Sequence, residues 1–314
     1  MEASLDLSFL LAGGDPDPST IEKLRAVDLD ELRGALATYL GDDEIDAELE
    51  RIQALLGNRA PSLFPRPRAP EPRPTPPAGA VEVTVLTDDD EVARRAADLV
   101  ESAARSALDA RGRFSIALSG GSTPKKLYAE LALRRLPWDR ITVCFADERA
   151  VPKDHADSNF KLVDEILLGP AKIPGSSVLR VDADDGDAER AAASYQKLLH
   201  DHLGADPRID LVVLGMGDDG HTASHFPGQP MKPGSVVATE APPTSPVQRR
   251  VTLGLDALAL AREVLAVITG TAKAERAREV LSGDSDLPLA KVLESRDRSR
   301  VLLDQAAASQ LSRR

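Results

Sequence analysis

The chain has 314 residues, enough to bury a sizeable core in one large domain or two smaller ones. Its formal net charge of −12 argues against a general nucleic-acid or membrane-surface binder, which would show a basic face. The single cysteine, Cys144, lies in the apolar run "ITVCFA", which excludes a disulfide framework and disfavours a cysteine metal site. No run approaches the length of a membrane span, so the expectation is a cytoplasmic protein.

Residues 1–60 read as a small helical extension. Ser19 or Thr20 can cap a first periodic run, and Ile45, Leu49, Ile52 and Leu55 share one face of a later one. This extension carries no chemical motif. Residues 61–77 hold 8 prolines in 17 positions, a composition that supports neither helix nor central strand. An extended linker over 61–79 is expected. It separates the extension from an α/β body spanning 80–314.

The body alternates strand and helix patterns. "VEVTVL", "FSIAL", "RITVCFADE", "IDLVVLGMG" and "EVLAVITG" read as strands. "EVARRAADLVESAARSALDARG", "PKKLYAELALRR", "DAERAAASYQKLLHDHL" and "TAKAERAREVLSG" read as helices. This order predicts a mostly parallel, Rossmann-like, doubly wound sheet with helices on both faces. Ligands bind such sheets beyond the carboxyl ends of the strands, where the loops gather at one rim.

Three loops at that rim can carry chemistry. "SGGSTP" follows a strand and opens a helix. Gly120 and Gly121 let the backbone approach a ligand, Ser122 and Thr123 add hydroxyls, and the helix start adds free N–H groups, which together suit an anion. A plain turn with Ser122 or Thr123 as cap explains the same residues. "DERAVPKDHADSNF" brings Asp147, Glu148 and Arg149 to the end of a strand, with Ser158 or Asn159 placed to cap the next helix.

"GMGDDGHTASHFPG" is the densest of the three. Gly215, Gly217 and Gly220 imitate a dinucleotide fingerprint, but His221 and Pro227 follow too soon for the long helix it needs, so nicotinamide binding is rejected. His221 and His225 stand four apart, yet Thr222 replaces the glutamate of a zinc-helix motif and no third ligand is evident, so no metal is expected. His221 beside Asp219 reads best as a general base. Further along, Arg250 precedes a strand, and Lys273 sits near a helix start, where a cation opposes the dipole. An anion held between them would give both a purpose.

Taken together, "LSGGSTP", "FADERAVPKDHADSNF", "LGMGDDGHTASHFPG", "RRVTL", "ITGTAKAE" and "LLDQAAA" resemble the 6-phosphogluconolactonase family, part of a group that includes glucosamine-6-phosphate deaminases. The resemblance covers about residues 80–314. It implies hydrolysis of a small phosphorylated sugar lactone with no cofactor. It further implies that Gly120, Gly121, Ser122 and Thr123 cradle the phosphate, that Arg149, Arg250 and Lys273 neutralise it or orient the sugar, that His221 activates water and that Asp219 supports it. Three positions depart from the usual pattern: His225 for leucine, Ala259 for asparagine and Asp218 for proline. The extension and linker lie outside that pattern.

Two other readings stay open. A sugar-phosphate isomerase or deaminase would share the phosphate loop and the histidine. The loop after His221 lacks the carboxylate such deaminases carry. A non-catalytic sugar-phosphate sensor would use residues 1–60 to bind a protein partner. Before residue 80 there are 15 acids against 8 bases, a poor composition for binding DNA.

Overall fold

The computed structural model describes residues 81–204, 208–294 and 298–311. The expected helical extension and proline linker lie outside these residues. Among the described residues no helix is long and apolar enough to cross a membrane.

Six strands form one parallel sheet: β1 (Val81–Leu86), β2 (Phe114–Leu118), β3 (Ile141–Phe145), β5 (Leu211–Leu214), β8 (Val264–Ile268) and β9 (Ser299–Asp304), in the spatial order β1-β9-β8-β5-β2-β3. Every residue of β2, β5 and β8 is buried, which requires cover on both faces because alternate side chains point to opposite sides. The expected α/β class holds.

The first helix, α1 (Asp89–Arg111), shows how local sequence sets an element. Asp88 accepts the Glu91 N–H at 2.8 Å, and the Glu91 side chain accepts the Thr87 N–H at 2.8 Å. Acids fill the first turn, where they suit the dipole. Gly112, at φ 72°, ends the helix in a left-handed cap. Val92, Ala96, Val100, Ala104 and Ala107 face the core. The helices α2 (Ser122–Ala132), α3 (Asn159–Val163) and α4 (Ala188–Leu203) follow; α3 continues as a π turn over Asp164–Leu168. Then come α5 (Leu255–Leu260), α6 (Ala274–Val280) and α7 (Pro288–Glu294).

One expectation is corrected. "RITVCFADE" is not a single strand. It breaks at Ala146 into β3 and β4 (Asp147–Arg149), and β4 belongs to a second sheet with β7 (Arg249–Leu253) and β6 (Val236–Glu240), antiparallel and ordered β4-β7-β6. Ala146 joins the two sheets: its N–H donates to Leu118 O and its carbonyl accepts from the Leu253 N–H, both at 2.8 Å. The apolar run continues through the break, so hydrophobic pattern alone does not mark it. Arg250 accordingly lies inside a strand rather than ahead of one.

The strand order places the ligand crevice. From β2 the chain moves to β3 on one side; from β5 it moves to β8 on the other. The carboxyl ends of β2 and β5 therefore flank the point where the winding reverses. The opposite end of the sheet gathers the C-termini of α1, α4 and α5 with Arg111, Arg208 and Arg262. Arg208 Nε donates to Leu260 O at 3.0 Å at the end of α5, and Arg111 and Arg262 pair with Asp210.

Candidate active site

A cleft of about 400 Å³ opens at the reversal point. It is lined by all nine residues singled out above: Gly120, Gly121, Ser122, Thr123, Arg149, Asp219, His221, Arg250 and Lys273.

The loop after β2 is held from below. Ser119 Oγ donates to Val213 O at 2.8 Å, and the buried Tyr128 hydroxyl donates to Ser119 O at 2.6 Å. Gly120 is required by close approach: a Cβ there would come within 1.8 Å of Asn159 Oδ1. The cap position of α2 is Gly121, with φ 108° and no side-chain hydrogen bond. Neither Ser122 nor Thr123 caps the helix, contrary to the plain-turn reading. The first N–H groups of α2 are thus left for an anion.

The loop after β5 makes the histidine site. The Gly220 N–H donates to Gly217 O at 3.0 Å and closes a turn over Gly217–Gly220. Asp219 Oδ1 lies 2.6 Å from His221 Nδ1 and accepts the His221 backbone N–H at 3.0 Å. With Nδ1–H donating to the carboxylate, the lone pair of Nε2 is free. Burial pushes the Asp219 carboxyl up, but the backbone and ring N–H groups of His221 outweigh it and hold it below its ordinary value. The imidazole stacks obliquely on Phe226, centroids 5.1 Å apart, and stays 37% exposed.

The second sheet supplies two guanidinium groups. Arg149 and Arg250 are directly opposite each other in the β4–β7 ladder. Like charges so placed repel, a cost that an anion between them would remove. Arg250 is only 8% exposed. Its Nε donates to Val247 O at 2.9 Å and Nη2 to Ser245 Oγ at 2.7 Å. Burial, then Arg149, holds its pKa below the ordinary value. Arg149 Nη1 donates to Asn159 Oδ1, while its buried Nε has no hydrogen-bond partner among the described residues.

The remaining parts sort into supports and departures. Glu148, which reads as a rim acid in sequence, is buried and structural: it accepts the N–H groups of Arg149, Asn159 and Phe160 at 2.7 Å. Ser158 caps α3, accepting the Lys161 N–H at 3.2 Å. Lys273 closes a 3-10 turn at the start of α6, and its Nζ lies 2.5 Å from Asp218 Oδ1. His225 is buried, its Nε2 2.9 Å from Leu253 O, and burial lowers its pKa. It faces a neighbouring cavity rather than the cleft, so the two histidines do not converge as metal ligands. Ala259 is exposed and outside the cleft lining.

Sequence reasoning missed Asn159 as the partner that fixes Arg149, reading it only as a cap. It missed Ser245 and Val247, whose loop "APPTSPVQ" has no signature beyond its prolines. Asp147, placed at the rim from sequence, does line the cleft, and it accepts the Ser224 hydroxyl at 2.8 Å.

Comparison with known proteins identifies the family. The family model described as glucosamine-6-phosphate isomerases/6-phosphogluconolactonase matches residues 87–302. A 6-phosphogluconolactonase of Rattus norvegicus is 38% identical over 241 residues, covering 73% of this chain and 93% of the relative. One from Nostoc is 43% identical over 149 residues, a match spanning 46% of this chain and only 62% of that protein. The solved 6-phosphogluconolactonase of Trypanosoma cruzi superposes with a TM-score of 0.68 at 29% identity, over 75% of this chain and 98% of that one. With more than half its length matched, this chain belongs to the family of glucosamine-6-phosphate isomerases and 6-phosphogluconolactonases.

Proposed function

We propose that the chain hydrolyses 6-phospho-D-glucono-1,5-lactone to 6-phosphogluconate, a step of the oxidative pentose phosphate pathway. The observation that carries this reading is one cleft in which the Asp219–His221 pair faces the phosphate-type loop and the register-paired Arg149 and Arg250. The relatives' names point the same way.

The phosphate lies against the N–H groups at Gly120–Thr123 and is neutralised by Arg149, Arg250 and Lys273. This fixes C1 of the lactone near His221. Nε2 takes a proton from water as its oxygen attacks C1, and Asp219 steadies the imidazolium. The tetrahedral oxyanion collapses, the C1–ring-oxygen bond breaks, and the imidazolium returns its proton to the departing oxygen. A lactone is already an activated ester, so positioning, a base and N–H donors suffice without a metal or cofactor.

The direct test is hydrolysis of freshly generated lactone with the spontaneous rate subtracted. Ammonia release from glucosamine-6-phosphate is measured beside it. Lactone hydrolysis without ammonia supports the proposal; ammonia without hydrolysis replaces it with the deaminase.

Gly217 gives a more local test. A Cβ at this position would fall 2.1 Å from His221 Nδ1 and 2.7 Å from Asp219 Oδ1. The clashing atoms belong to partly exposed side chains, so the fold should survive while the ring is pushed aside. Gly217→Ala is expected to lower kcat about 100-fold, the scale of an ångström-sized misplacement. A normal rate with an unchanged melting temperature would refute the placement of the base.

The division into extension (1–60), linker (61–79) and body (80–314) is part of the proposal, as are a cytoplasmic location and a protein-docking role for the extension. A protein beginning at residue 80 is expected to keep the kcat of the full chain. A large drop in a folded truncation would assign the extension a part in the chemistry.

A further inference from the structure

One ion pair, joining cleft-lining Lys273 to a residue outside the lining, is not accounted for by catalysis or by the fold. Lys273 Nζ lies 2.5 Å from Asp218 Oδ1. Lys273 sits at the N-terminus of α6, where the helix dipole disfavours a cation, so the structure is not what draws it there. The two partners differ in exposure. The Lys273 side chain is 17% exposed and held in the cleft wall; Asp218 is 72% exposed at the tip of a turn. An incoming anion would therefore displace the carboxylate and leave the ammonium in place.

Asp218 also shares its turn with the base support. Within Gly217–Gly220, Asp218 reaches Lys273 and the next residue, Asp219, reaches His221 Nδ1 at 2.6 Å. The ammonium and the imidazole are thus tethered to adjacent positions of one four-residue turn.

We propose that Asp218 is a positioning and specificity residue: an internal counter-ion that keeps Lys273 aimed into the cleft and that a phosphoryl dianion must displace to bind. The cost of displacement weakens all anions, but most of all those that offer Lys273 a single contact. A sugar phosphate also engages the loop after β2 and both arginines, and so overcomes it. The same carboxylate, 2.5 Å from the ammonium, competes for it when product leaves. This inference rests on the phosphate lying beside Lys273, as in the proposed function.

The test is a double-mutant cycle read by phosphate affinity, with inorganic phosphate as the probe in calorimetry on the full chain. Asp218→Asn keeps the shape and removes the charge. It is expected to tighten phosphate binding about two- to fivefold, the scale of an exposed ion pair. In the Lys273→Ala background the same substitution should change nothing. If Asp218→Asn leaves affinity unchanged or weaker while Lys273→Ala weakens it, the counter-ion role is overturned and the phosphate site stands. If Lys273→Ala leaves phosphate affinity unchanged, the phosphate placement fails and the counter-ion role falls with it.

Discussion

Replacing His221 with alanine is expected to lower kcat for the lactone about 10²- to 10⁴-fold, with KM within a few-fold of wild type. Among the residues lining the cleft His221 is the one imidazole, and its Nδ1 is committed to Asp219, so Nε2 alone is free to take the proton of water. Among the described residues the ring's polar partner is Asp219 rather than a group of the phosphate cradle, which is why binding should persist. The assay needs the spontaneous rate subtracted, and circular dichroism establishes that the variant is folded. A folded variant with a near-normal kcat would remove His221 from the mechanism. The pH dependence has a defined sign. The Asp219 carboxyl sits below its ordinary value, held there by His221 N–H groups against the opposing effect of burial. A depressed carboxyl contributes its support above its unfolded pKa and loses it only as pH falls through the lower folded value. The Asp219–His221 contact is therefore complete at neutral pH and is not what fails first in mild acid.

Replacing Arg250 with alanine is expected to raise KM for the phosphorylated lactone about 10- to 100-fold, because a charge-assisted hydrogen bond is worth about 1.5–3 kcal/mol. The fall in kcat should be smaller. The Arg250 guanidinium is oriented by Val247 O and Ser245 Oγ, leaving its other N–H groups to turn towards the cleft. Arg250→Lys keeps the charge but cannot hold both contacts while reaching an anion, so it should recover little of the loss. Stability separates this from a structural role. Arg250 faces Arg149 across the ladder, so its removal relieves a repulsion as well as leaving a gap. Phosphate should raise the melting temperature of wild type more than that of Arg250→Ala. An equal rise in both proteins, or an unchanged KM, would place the anion elsewhere.

Much of this was legible in the chain itself. The strands "FSIAL" and "IDLVVL" run into glycine-bearing loops, the helical segments of the body carry apolar residues at three- and four-residue spacing, and the alternation of the two patterns implies a parallel sheet with its loops on one rim. Cap chemistry is local too: Ser158 before α3 acts within a few residues of itself. Pairings between distant segments were not legible. The second sheet was hidden because β3 and β4 form one unbroken strand-like run, and only the bonds of Ala146 to Leu118 on one side and Leu253 on the other divide it.

The sequence by itself determined the α/β class, the rim where chemistry gathers and nine of the residues that line the cleft, because periodicity and glycine placement act over a few residues. Tertiary structure alone decided that Arg149 faces Arg250, that Asn159 fixes Arg149, that His225 turns to Leu253 O, and that Lys273 meets Asp218. Each of these joins segments through strand register or loop packing, and a register is set by which surfaces bury against each other, not by the residues on either side of it.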